Sequence, residues 1–135
     1  MDDIDITKSG TADLAALFEQ VLMAAFGVDE DTPEAAGAFL AGFVARAADV
    51  PALLRATIEE AAALAEEHGA GVVGCGVSGV MATDEGHRAW GFLTLSPGAG
   101  GDVAPRLVVE RSAVEPDGRG RWRATATVRR GRGHA

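Results

Sequence analysis

At Gly69 the hydrophobic rhythm of this chain changes. Before that glycine apolar residues recur at helical spacing, and after it they alternate. A change of period from 3.6 to 2 at one point sets helices first and strands second, so the expected class is α+β, not a repeated strand-helix-strand order.

The first helical stretch covers 12–26, where Leu14, Leu17, Phe18, Val21, Leu22 and Ala25 form one apolar stripe. Ser9 or Thr11 is placed to cap it, and Gly27 to end it. Thr32 and Pro33 carry the cap-and-proline signature of a second helix, with Phe39, Leu40, Phe43 and Val44 on one side and Gly37, Ala38, Ala41 and Gly42 leaving a groove. Asp49 and Pro51 repeat that signature for a third helix, which runs to His68 along the seam Leu54, Ile58, Ala61 and Ala65.

Beyond Gly69, Val73, Cys75, Val77 and Met81 alternate with a nearly bare face that includes Gly74, Gly76 and Ser78. Segments 88–95, 106–114 and 122–130 read as three further strands, separated by Gly- and Pro-bearing turns. The sequence therefore predicts three N-terminal helices packed on one face of a four-stranded antiparallel sheet, in a single domain over 1–135. Residues 1–10 and 131–135 are expected to be flexible, and no internal repeat is evident.

Charge is unevenly placed. The chain carries net −8: residues 1–86 hold sixteen acidic residues against Lys8, Arg46 and Arg55, while residues 87–135 hold nine arginines against Asp102, Glu110, Glu115 and Asp117. Such asymmetry suits a module whose two halves meet different partners, or one whose faces attract each other in a second copy. Cys75 is the only cysteine, which excludes an internal disulfide and fits a reducing compartment. The acidic start Met1-Asp2-Asp3-Ile4-Asp5 is unlike a secretory signal, and no apolar run approaches the length of a membrane span. A cytoplasmic location without membrane contact is expected.

Motifs for catalysis are sparse. Gly74-Cys75-Gly76-Val77-Ser78-Gly79 satisfies the G-x-G-x-x-G spelling of dinucleotide sites, but that motif needs a helix N-terminus directly after it, and strand follows here. No cofactor is expected. Cys75 could serve as a nucleophile beside His68 or His87, yet its phase with Val73 and Val77 makes it a small core residue. Asp84, Glu85 and His87 form one acidic group and Asp29, Glu30, Asp31 and Glu34 another; neither has the spacing of a zinc or EF-hand site, so no metal is expected. The tail Arg129-Arg130-Gly131-Arg132-Gly133-His134 resembles arginine-glycine segments that contact nucleic acid, but a protein of net −8 lacks the broad basic surface such binding uses.

The expected function is a small acidic protein-interaction module without catalytic activity, self-associating through charge complementarity. Its contact surface is expected on the outward face of the last strand, Arg123, Thr125, Thr127 and Arg129, with that strand at a sheet edge. The alternative is a small-ligand binder or enzyme with an apolar pocket between the second helix and the sheet, lined by Phe39, Phe43, Trp90 and Phe92.

Overall fold

The computed structural model describes residues 2–28, 37–97 and 106–131. They form β1 (Asp2–Thr11), α1 (Leu14–Phe26), β2 (Phe39–Ala47), α2 (Val50–His68), β3 (Gly71–Thr83), β4 (Gly86–Ser96), β5 (Arg106–Pro116) and β6 (Trp122–Gly131). The strands make two three-stranded antiparallel sheets, ordered β1-β6-β5 and β2-β4-β3.

This corrects the expected architecture of three helices on a four-stranded sheet. Among the described residues two helices and six strands are present, and the four C-terminal strands are divided as hairpins between two sheets. The expected second helix begins at 32–33, outside the described residues, and its apolar residues 39–44 belong to β2. The spacing of Phe39, Leu40, Phe43 and Val44 also satisfies a strand: Phe43 and Ala45 are buried while Leu40, Gly42, Val44 and Arg46 are exposed. A short apolar run reads both ways, and pairing with β4 over all nine residues decides it. At the N-terminus, residues expected to be flexible form β1, where Ile6 enters the core and Asp3 and Asp5 face out.

Both helices follow local capping rules. Asp13 accepts a hydrogen bond from the Ala15 N–H at 3.0 Å, and Asp49 accepts one from the Ala52 N–H at 2.8 Å. Gly27 and Gly69 end the helices in the left-handed region, with φ of 69° and 60°, where a side chain would be strained. The cap of α1 is thus Asp13 rather than Ser9 or Thr11.

A repeat invisible in the sequence appears in the topology. β2, α2 and the β3–β4 hairpin form a unit in which the first strand pairs with the last; β1, α1 and the β5–β6 hairpin form the same unit, with the other inserted between α1 and β5. Buried helix positions correspond at a separation of 40 residues: Leu17, Phe18, Val21, Leu22 and Ala25 match Thr57, Ile58, Ala61, Ala62 and Ala65. Each helix lies on its own sheet and reaches an edge strand of the other, α1 against β3 and α2 against β5. One apolar cluster consequently joins both helices and both sheets.

The same symmetry closes two sheet edges. Glu19 on α1 accepts a hydrogen bond from the Val77 N–H of β3 at 3.0 Å, and Glu59 on α2 accepts one from the Val109 N–H of β5 at 3.3 Å. Arg55, one turn before Glu59, donates through Nε to the Val109 carbonyl at 3.1 Å. Arg55 and Glu59 together give Val109 the donor and acceptor that a neighbouring strand would supply. Both contacts fall where the edge strand shifts register, between Val77 and Gly79 and between Val109 and Arg111.

Candidate protein-interaction surface

The outer faces of the two sheets are topologically equivalent but chemically opposite. On the first sheet β6 is the central strand, not an edge, and its buried side consists of Ala124, Ala126 and Val128. The predicted contact residues Arg123, Thr125, Thr127 and Arg129 do share the outward face. Two of them are engaged within the chain: Arg129 pairs with Asp3 at 3.5 Å and with Glu110, and the Thr127 hydroxyl donates to Asp5 at 2.9 Å. Arg123 lies opposite Glu115 and Thr125 opposite Thr7. This face pairs its own charges across strands.

The second sheet turns apolar groups outward. Leu93 and Leu95 of β4 are fully buried, so Arg88, Trp90, Phe92 and Thr94 take the opposite side. Beside them β2 presents Leu40, Gly42, Val44 and Arg46, and β3 presents Gly74, Gly76, Gly79 and Met81. Exposure is high for large apolar residues: Leu40 68%, Val44 50%, Met81 42% and Phe92 37%. Isolated exposed apolar residues are ordinary, but these four lie on one face of one sheet.

The glycines of β3 shape this surface. A Cβ built on Gly76 would lie 2.5 Å from Phe92 Cζ, and one on Gly79 would lie 2.3 Å from Trp90 Cζ2. The two rings lean across the sheet onto bare backbone, which gives a flat aromatic surface. The glycine spacing accommodates rings from the neighbouring strand, and at Gly76 also the Glu19 carboxylate of α1, 3.3 Å from an added Cβ. At the turn end, the Arg88 guanidinium sits 5.2 Å from the Trp90 ring centroid, and its Nη2 is 3.3 Å from Met81 Sδ. Arg46 is the cross-strand neighbour of Arg88, and these two arginines share the turn end of the face with Asp84 and Glu85.

No family model and no curated protein matches this chain.

The four predicted pocket residues are not brought together. Phe43 faces the core, its ring tip 3.0 Å from where a Cβ on Gly91 would stand, and Phe39 meets the His68 ring at 5.4 Å between centroids. Trp90 and Phe92 occupy the other side of the sheet. Two clefts exist elsewhere: one of about 610 Å³ at the β3–β4 turn, lined by Arg46, Asp84, Glu85, His87 and Arg88, and one of about 700 Å³ beside the start of α2, lined by Asp5, Arg55, Glu110, Arg111 and Ser112.

Cys75 lies opposite Leu93 on the inner face of β3. Burial, aided by the negative charge of Glu19, pushes its thiol up to about 12, so it stays protonated at neutral pH. Among the described residues no three metal-ligating side chains converge, and no helix is long and apolar enough to cross a membrane. The cluster Asp29, Glu30, Asp31 and Glu34 and the tail residues Arg132 and His134 lie outside the described residues.

Sequence reasoning assigned Leu40 and Val44 to a helix and so missed this face. A partial signal was present in β4, where Trp90 and Phe92 stand in the phase opposite to Leu93 and Leu95, so that strand carries large apolar residues on both sides.

Proposed function

We propose that this chain is a small cytoplasmic protein-interaction module without catalytic activity, docking through the outer face of its second sheet. The observation that carries the reading is the contrast between two equivalent faces, one polar with Arg129 tied to Asp3 and Glu110, the other turning Leu40, Val44, Met81 and Phe92 outward. An apolar sheet face of this kind gains by covering, at roughly 25 cal/mol per Å² removed from water. A lone cysteine fits a reducing compartment, and burial that keeps its thiol protonated speaks against Cys75 as a nucleophile. The candidate surface Arg123, Thr125, Thr127 and Arg129 has less support because Arg129 and Thr127 already have partners within the chain. The small-ligand alternative has less support because Phe39 and Phe43 stand on one side of the sheet and Trp90 and Phe92 on the other.

A photo-crosslinking side chain placed at Val44, and separately at Thr125, tests the assignment in cells. Crosslinked product is expected from position 44 and little from position 125. Products from position 125 alone would reject the face assigned here.

A further inference from the structure

Among the described residues the two sheets have four strand edges, and three are managed. β3 is capped by Glu19 of α1, and β5 by Arg55 and Glu59 of α2. β1 is broken by a register shift between Ser9 and Thr11 and carries Asp3, Asp5 and Lys8, the charges that usually discourage pairing. Among the described residues β2 has neither device. It pairs with β4 without a shift across nine residues, and no charge interrupts Phe39-Leu40-Ala41-Gly42-Phe43-Val44-Ala45.

Resting on the interaction reading above, we infer that this chain also pairs with a second copy of itself, β2 to β2 antiparallel about a two-fold axis at Gly42, which sets the two apolar faces side by side as one wider docking surface without covering them. The strand is self-complementary about that centre. Leu40 then lies opposite Val44 of the second copy, Ala41 opposite Phe43, Phe39 opposite Ala45, and Arg46 opposite Ala38. Each large side chain meets a smaller one, and the two arginines are kept apart. Centring on Phe43 instead would oppose two buried rings and set Leu40 against Arg46. At Gly42 an added Cβ would find only the Gly91 carbonyl, at 3.7 Å, so the axis is open for close approach.

Charge favours the same orientation. α2 runs back along β2, and the Phe39–His68 contact places its last turn, with Glu67, at the Phe39 end. Antiparallel pairing brings Glu67 of one copy toward Arg46 and Arg88 of the other at both ends of the interface, whereas parallel pairing would set like beside like; Asp84 and Glu85 of the β3–β4 turn share the arginine end and limit this attraction to the seam itself. This local attraction opposes the repulsion between two chains of net −8. The product is a six-stranded sheet, β3-β4-β2-β2-β4-β3, whose outer face carries Leu40, Val44, Trp90 and Phe92 of both copies. Pairing of one strand edge lies at the small end of specific interfaces, so the dimer is expected to be reversible in the micromolar range.

Light scattering on the whole chain across micromolar concentrations tests this. The mass should rise toward twice 13.8 kDa. Leu40→Lys with Val44→Lys should leave a monomer that melts like wild type, and oxidised Gly42→Cys should form a disulfide-linked dimer while Thr7→Cys on β1 should not. A wild-type monomer at every concentration, or a dimer that survives the double lysine change, overturns the inference. A dimer lost on that change but not trapped through Gly42→Cys overturns the edge pairing and leaves the apolar face standing. A monomer whose position 44 crosslinks only to a different protein likewise sinks the second copy while the interaction reading holds.

Discussion

Adding a single methyl group at four glycines of the second sheet should give a graded loss of stability, because each site meets a different kind of obstacle. At Gly91 the new Cβ would lie 2.1 Å from the Gly76 carbonyl oxygen, 3.0 Å from Val77 Cα and 3.0 Å from Phe43 Cζ. Two of these are backbone, so the β3–β4 pairing itself must open by about 1 Å to restore ordinary contact, and a cost of about 3 kcal/mol is expected for Gly91→Ala. At Gly79 and Gly76 the obstacles are the tips of the Trp90 and Phe92 rings, 2.3 Å and 2.5 Å away. Rings on an outer face can swing toward solvent. Gly79→Ala and Gly76→Ala should therefore cost only about 1 kcal/mol each, the value of the lost ring cover. Gly42→Ala meets nothing closer than 3.7 Å and should be neutral or stabilising by roughly 0.5 kcal/mol, through a stiffer unfolded chain. Urea unfolding of the four variants measures the order. Indole fluorescence adds a second readout, since Gly79→Ala should shift Trp90 emission to the red while Gly42→Ala leaves it unchanged. If Gly91→Ala proves as stable as Gly42→Ala, the close approach of β3 and β4 is wrong, and with it the packing that turns the aromatic rings outward.

Two further outcomes follow from groups already described. Cys75 should react slowly with a thiol reagent in the native protein and quickly after denaturation; because its thiol is pushed from 9.0 to about 12, the folded chain holds a proton that the unfolded chain has lost between those values, so stability should fall as pH rises through that window, more steeply in wild type than in Cys75→Ala. Fast native labelling at pH 8, or parallel alkaline melting curves for the two proteins, would contradict the assignment. Asp49→Ala removes the side-chain acceptor of the Ala52 N–H and should destabilise by about 1 kcal/mol in thermal melting, an effect that Asp49→Ser should largely restore.

The local chemistry of the sequence determined both described helices and the last four strands. Asp before and Gly after each helix act within one turn of chain, and the alternation of Trp122, Ala124, Ala126 and Val128 specifies which side of β6 is buried, whatever that strand pairs with. Tertiary structure decided what those signals leave open. Ile4 and Ile6 already alternate with acids in β1, but their strand exists because β6 returns to pair with it, as in the Thr127–Asp5 hydrogen bond across 122 positions. Residues 39–47 fit a helix or a strand equally well until β4 offers its edge. The division of two hairpins between two sheets, and with it the exposure of Leu40, Val44 and Phe92, likewise follows from which strands meet in space. Capping and hydrophobic period are short-range properties written residue by residue; strand pairing is chosen among distant segments, and only the packed chain makes that choice.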